Sequence, residues 1–180
     1  MKNAISIFCL LFLASSLSAQ HAPWEKTAGP PGLTVKVLYR ADSVMYAGTE
    51  TQGLYKSTDD GLSWIAANNG IERVSVTDII SSGGNLLVAA ASRANECPAL
   101  NNIFKSTDNG TTWIPTSGLG GKIPKAFAIK DSSIYATTAF SPGSSGVSRS
   151  TDNGNTWQEV PSPIQNGNEI FVSGNAIIVA

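Results

Sequence analysis

Short runs of alternating apolar and polar residues, each closed by a turn signal, recur along the chain. The first passes through Val35, Val37 and Tyr39, breaks at Ala41-Asp42-Ser43 and resumes from Val44 to Gly48. Ile79-Ile80, the turn Gly83-Gly84-Asn85 and Leu86 to Ala90 repeat it, as do Phe127-Ala128-Ile129, Asp131-Ser132-Ser133 and Ile134 to Thr138. A fourth round opens with Ile170-Phe171-Val172, turns at Ser173-Gly174-Asn175 and runs from Ala176 to Ala180. A period of two in runs this short, bounded by Gly, Asn, Asp and Ser, predicts antiparallel strands joined by hairpins.

Each of the first three rounds leads into a second hairpin with a repeated sequence. Ser57-Thr58-Asp59-Asp60-Gly61-Leu62-Ser63-Trp64 returns as Ser106-Thr107-Asp108-Asn109-Gly110-Thr111-Thr112-Trp113, and again as Ser150-Thr151-Asp152-Asn153-Gly154-Asn155-Thr156-Trp157. A full unit therefore reads as four short strands, A to D, with this motif joining C to D. The spacing, 49 residues from Ser57 to Ser106 and 44 from Ser106 to Ser150, is that of a four-stranded propeller blade, not of a leucine-rich or ankyrin unit. The predicted fold is all-β: a β-propeller of four-stranded antiparallel blades near 34–67, 76–116 and 125–160, with an incomplete unit at 169–180. Trp64, Trp113 and Trp157 are placed in D strands. Trp24 has the phase of a D strand without its own blade, a strand able to close a ring.

The motif has a physical reading. The carboxylates of Asp59, Asp108 and Asp152 are placed to accept backbone N–H groups just downstream, as in an Asx-turn. Gly61, Gly110 and Gly154 supply positive φ without a Cβ penalty. The hydroxyls of Ser57, Ser106 and Ser150 add a further hydrogen bond, and each tryptophan buries a ring worth about 2–3 kcal/mol. Asp59-Asp60-Gly61 also looks like part of a calcium loop, but no acidic residue closes a twelve-residue pattern. The turn is read as structural, and no metal or cofactor is expected. Lys56, Lys105 and Arg149, just before each motif, are read as solvated outer-strand positions.

These residues resemble the Asp-box, or BNR, repeat, over roughly Thr34 to Ala180. The resemblance implies the sialidase-like propeller fold, in a family that spans sialidases, xyloglucan-degrading glycosidases, sortilin-type receptors and repeat proteins without assigned activity. It also implies a structural box lying away from the working face.

The amino terminus has a different pattern. Lys2 precedes an unbroken apolar run, Ala4 to Leu13, followed by Ser15-Ser16-Leu17-Ser18-Ala19. A run this short, ending in small residues, predicts a secretory signal peptide over 1–19 rather than a membrane span. Cleavage would remove Cys9 and leave Cys97 as a free thiol or paired with a cysteine outside this sequence, so packing and strand pairing are expected to carry the fold. Location is therefore read as secreted or cell-envelope. Composition fits: 14% charged residues, 17 glycines, 9 prolines and a net charge of −1. With no basic excess, neither nucleic acid nor an anionic membrane is an expected partner.

In a propeller of this topology the A–B turns share a face with the motif, and the B–C and D–A loops share the other. The second face is where family members resembling this chain carry their sites. Its B–C loops here are Glu50 to Gln52, Ser92 to Asn102 and Ala139 to Ser145. The longest carries Arg93, Glu96 and Cys97. Arg93, Glu96, Phe140 and Arg73 are the binding candidates; a tolerated surface insertion is the competing reading of the long loop. Sialidase chemistry is disfavoured: the family's F/Y-R-I-P signature is absent between Gln20 and Thr34, Arg40 and Arg149 fall near the motif face, and His21 lies at the mature terminus. Tyr46 to Tyr55 resembles the first blade of the xyloglucan-degrading relatives, with Glu50 where they carry a catalytic aspartate. A glycosidase needs a second carboxylate about 5–10 Å away, and Asp78 is the weak candidate. The fourth unit stops in its B strand, so further blades are expected beyond Ala180. The reading is a secreted, non-catalytic propeller that binds a glycan or an extracellular protein, or serves structurally. The alternative is a glycoside hydrolase of xyloglucanase or sialidase type, completed by residues beyond Ala180.

Overall fold

The computed structural model describes residues 29–30, 32–92, 101–139, 146–164 and 166–180. The leader 1–19, His21, Trp24, Arg93, Glu96, Cys97 and Phe140 lie outside the described residues. All regular structure among the described residues is strand. The first sheet orders β1 (Val35–Ala41), β2 (Val44–Thr49), β3 (Leu54–Ser57) and β4 (Ile65–Ala66). The second orders β5 (Ser75–Ser82), β6 (Asn85–Ala91), β7 (Asn102–Ser106) and β8 (Ile114–Pro115). The third contains β9 (Ile123–Lys130), β10 (Ser133–Ala139), β11 (Val147–Ser150) and β12 (Gln158–Glu159), and a final pair joins β13 (Ile170–Ser173) to β14 (Ala176–Val179). Every pairing within a sheet is antiparallel.

The first strands of successive sheets touch: β1 meets β5, β5 meets β9, and β9 meets β13. Strand A is thus innermost, and the sheets stack face to face in chain order. The result is an incomplete β-propeller ring. The core lies between blades rather than within one. Tyr46 and Leu54 of the first sheet pack on Val76, Ile79, Leu86, Val88 and Phe104 of the second. Leu87, Ala89 and Ile103, on the other face of the second sheet, pack on Phe127, Ile134 and Ala136 of the third. Strand β6 therefore buries both faces, which explains its unbroken apolar run. The outward face of the first sheet has no such cover among the described residues, and Leu38 (60%) and Ile65 (59%) stay exposed.

The tryptophans differ from their predicted place. Trp64, Trp113 and Trp157 come just before β4, β8 and β12 rather than within them. The backbone N–H of Trp113 donates to Asn69 O (3.0 Å) and that of Trp157 to Ser117 O (2.9 Å). Both acceptors belong to the preceding blade's D–A loop, so the C–D ladder starts one residue later.

Candidate functional site

The B–C and D–A loops of the first blade form one braced surface. Thr49, at the end of β2, donates its hydroxyl to Gly53 O (2.9 Å) and accepts the Gln52 N–H (3.0 Å), closing the B–C loop. Gly53 N donates to Val74 O (3.0 Å), and Asn68 Nδ2 donates to Gln52 O (2.9 Å), tying that loop to residues 67–74. Gly53 is required here: its φ is +68°, and a Cβ would come within 2.2 Å of Ile71 O. Glu50 and Arg73 both stand exposed on this surface, Glu50 with its N–H on Thr34 O at 2.9 Å. The third blade repeats the brace, with Gly146 N on Ile164 O at 2.6 Å.

Asp78 occupies a different setting. It follows a register shift in β5, and equivalent irregularities occur in β1 and between Ala136 and Thr138 opposite β9. The bulge leaves Thr77 without a register partner. Asp78 Oδ1 accepts the N–H of Ile79 (2.8 Å) and Oδ2 accepts that of Phe127 (2.7 Å). Ile79 pairs with Val88 and Phe127 with Ala136, equivalent positions in successive blades. One carboxylate thus serves the same amide in two neighbouring inner strands. Burial pushes its pKa up, the two amides oppose that, and the charge of Glu169 raises it further.

Sequence reasoning passed over Glu169. Ile170 pairs with Val179 as Phe127 does with Ala136, so Glu169 holds in the fourth unit the place Asp78 holds in the second. Val37 and Ala126 hold it in the first and third. The signal was present in the aligned A strands but carried no motif.

On the opposite face the three S-T-D turns are nearly superimposable networks. The Ser57 hydroxyl donates to Asp59 Oδ1 (2.7 Å) and accepts the Gly61 N–H (2.8 Å). Asp59 accepts the Ser63 N–H (2.9 Å) and its hydroxyl (2.5 Å). Ser106, Asp108, Gly110 and Thr112 reproduce this set, as do Ser150, Asp152, Gly154 and Thr156. These donors hold Asp59 and Asp152 at a pKa of about 2, first through the Ser63 and Thr156 hydroxyls, and depress Asp108 further through Thr112. Asp60, Asn109 and Asn153 all have φ of +55°, which explains why that position alternates only between Asp and Asn. Trp113 (4% exposed) and Trp157 (2%) fill the seams between blades. Trp113 donates its indole N–H to Ala67 O of the preceding blade (2.8 Å), whereas half-buried Trp64 donates to Gly61 O of its own turn (3.1 Å).

Of the basic residues before the turns, Lys105 departs from the solvated reading. Lys105 is buried and donates to Asn155 Oδ1 of the next turn at 2.8 Å, and Lys56 reaches Asn109 O at 3.4 Å. Both tie a C strand to the following blade. Arg149 stays exposed, bonded to the Ser133 hydroxyl (2.7 Å) and lying over the Tyr135 ring.

No family model matches the chain, and no curated protein matches it. Among solved structures it is similar to a GH74 enzyme of Niastella koreensis, with 26% identity over 69% of this chain and 20% of that one, TM-score 0.53. It is also similar to the GH74 xyloglucanase of Xanthomonas campestris, with 19% identity over 73% of this chain and 23% of that one, TM-score 0.51. An extracellular domain from B. thetaiotaomicron matches at 12% identity over 81% of this chain and 20% of its own, TM-score 0.61. The chain spans 20–23% of the length of these three. The likeness places it among β-propellers. No helix long and apolar enough to cross a membrane occurs among the described residues.

Proposed function

We propose that this chain belongs to a secreted Asp-box propeller that binds carbohydrate, without cleaving it, through the face built from its B–C and D–A loops. The observation that carries the reading is the braced loop surface of the first blade, together with the likeness to a GH74 enzyme at 26% identity. Exposed Glu50, Gln52 and Arg73, with half-buried Asn68 beside them, offer that surface hydrogen-bond donors and acceptors suited to a polyhydroxyl chain. Asp78, the candidate second carboxylate of a hydrolase, spends both oxygens on backbone amides. The signal-peptide pattern of residues 1–19 supports export. A polysaccharide-retention assay with the full chain tests the proposal: xyloglucan or a related neutral glycan is retained, and Arg73→Ala with Asn68→Ala weakens retention. Absence of retention on every glycan contradicts it.

The GH74 likeness also favours a second reading, a glycoside hydrolase in which Glu50 takes part. Release of reducing ends from xyloglucan, abolished by Glu50→Gln with the fold intact, is the result that would establish it over the binding role.

A further inference from the structure

A cavity of about 500 Å³ lies on the other face, between the A–B turns of the first two blades. That volume is within the range of about 300–1,000 Å³ typical of small-molecule sites. Its walls are Ala41 to Val44 on one side and Ser81 to Leu86 on the other, with Tyr46 and Asn109 completing it.

The repeat supplies an internal comparison. Ala41 pairs with Val44 across the first A–B turn and Ser82 with Asn85 across the second, so Asp42 and Gly83 are equivalent. At the junction between blades two and three, the Asn153 side chain packs directly against Gly83, 3.0 Å from where a Cβ would stand. At the junction between blades one and two, the position of Gly83 is taken by Asp42 and that of Asn153 by Asn109. There the Asn109 carbonyl accepts the Tyr46 hydroxyl (3.2 Å), and the space between the turns stays open.

The lining selects a ligand chemistry. Arg40 is already engaged: its guanidinium pairs with Asp60 (3.2 Å) and donates to Asp42 O (3.1 Å). Asp42 and Asp60 are matched by Arg40 and by Lys56, whose ammonium reaches Asn109 O (3.4 Å), so the charges balance and no net positive charge draws in phosphates, sulfates or carboxylate sugars. The lining's one aromatic ring, Tyr46, is only 1% exposed, and polar groups outweigh apolar ones there. What remains is a set of hydroxyl, amide and carboxylate groups, from Asp42, Ser43, Ser82 and Asn85, that both donate and accept. Such a set matches adjacent sugar hydroxyls, and an ionised carboxylate accepting two of them makes the strongest contacts.

We propose that this inter-blade cavity is a binding site for a neutral saccharide, separate from the loop face and independent of its role. Titration of the full chain with glucose, galactose and cellobiose, followed by amide chemical shifts, tests it. A neutral sugar shifts the amides of Ser43, Gly83 and Gly84. Asp42→Asn weakens that binding about tenfold, Ser82→Tyr fills the cavity and abolishes it, and Asn68→Ala on the opposite face leaves it unchanged. Circular dichroism establishes that the variants are folded. Failure of all three sugars to shift these amides overturns the proposal. So does stronger binding of glucose 6-phosphate or N-acetylneuraminic acid, or undiminished binding by folded Ser82→Tyr.

Discussion

The carboxylate of Asp78 accepts the amide proton of Phe127 at an N···O distance of 2.7 Å, across the junction between the second and third blades. Its other oxygen takes the Ile79 amide on its own strand. Truncation to alanine removes the carboxylate acceptor from two inner-strand amides, those of Ile79 and Phe127. Asp78→Ala is expected to cost about 1–3 kcal/mol in denaturant unfolding. It should also speed hydrogen exchange at Phe127 more than at ladder amides of β10. Unchanged exchange at Phe127 would contradict the bridging role.

The aspartates predict opposite pH behaviour on the two faces. Asp59 and Asp152 have folded pKa values of about 2, below the ordinary 3.8. Their contribution to stability is therefore full above pH 3.8 and lost as pH falls from there through 2. Asp78 is raised by burial, so its share runs the other way: fully present below 3.8 and diminishing as pH rises through the folded value. Thermal melts between pH 2 and pH 4 should show stability falling with acid, and Asp152→Asn should flatten that fall. A melting temperature that does not change over this window is inconsistent with the turn networks.

Two equivalent tryptophans should respond differently to the same change. Trp113 gives its indole N–H to Ala67 O, while the Trp157 indole nitrogen has no acceptor among the described residues. The D–A loop it faces is one residue shorter, reaching the next blade at Ser117 rather than at the counterpart of Asn69. Trp113→Phe leaves a buried carbonyl unpaired and is expected to cost about 1–3 kcal/mol more than Trp157→Phe. Equal unfolding midpoints for the two variants count against this difference.

Gly118 has φ +99°, and a Cβ there would sit 2.0 Å from Trp157 O, the main chain of the next blade. Gly118→Ala should destabilise the chain by roughly 3 kcal/mol or more. Gly84 also has positive φ (+76°) but meets nothing within 4 Å. Gly84→Ala is expected to cost only about 1 kcal/mol, the conformational term alone. Comparable losses at both positions, measured by urea unfolding, would rule out close blade contact at Gly118.

The strands and their grouping were legible because period-two runs and a repeated eight-residue turn mark every blade. Ser57, Asp59 and Gly61 could be read as a self-satisfying turn from their chemistry alone. What tertiary packing decides was not legible. Lys105 reads as a surface residue by type, yet stacking of the third blade buries its stem and brings Asn155 to its ammonium group. The tryptophans read as strand residues, but their amides are claimed by the preceding blade. Asp78 reads as a candidate second carboxylate, and only the approach of Phe127 reveals an acceptor of backbone amides. Glu169 becomes visible once the four inner strands share one register.

The central physical claim is that the sheets stack in chain order through their inner strands, with Trp113 and Trp157 sealing the two junctions among the first three. Nuclear Overhauser contacts in the full chain test it most directly. The account predicts contacts from the Trp113 indole proton to Ala67 and from the Phe127 amide to the Asp78 β protons, alongside those within each sheet. Intact sheet contacts without these two cross-blade signals would contradict it.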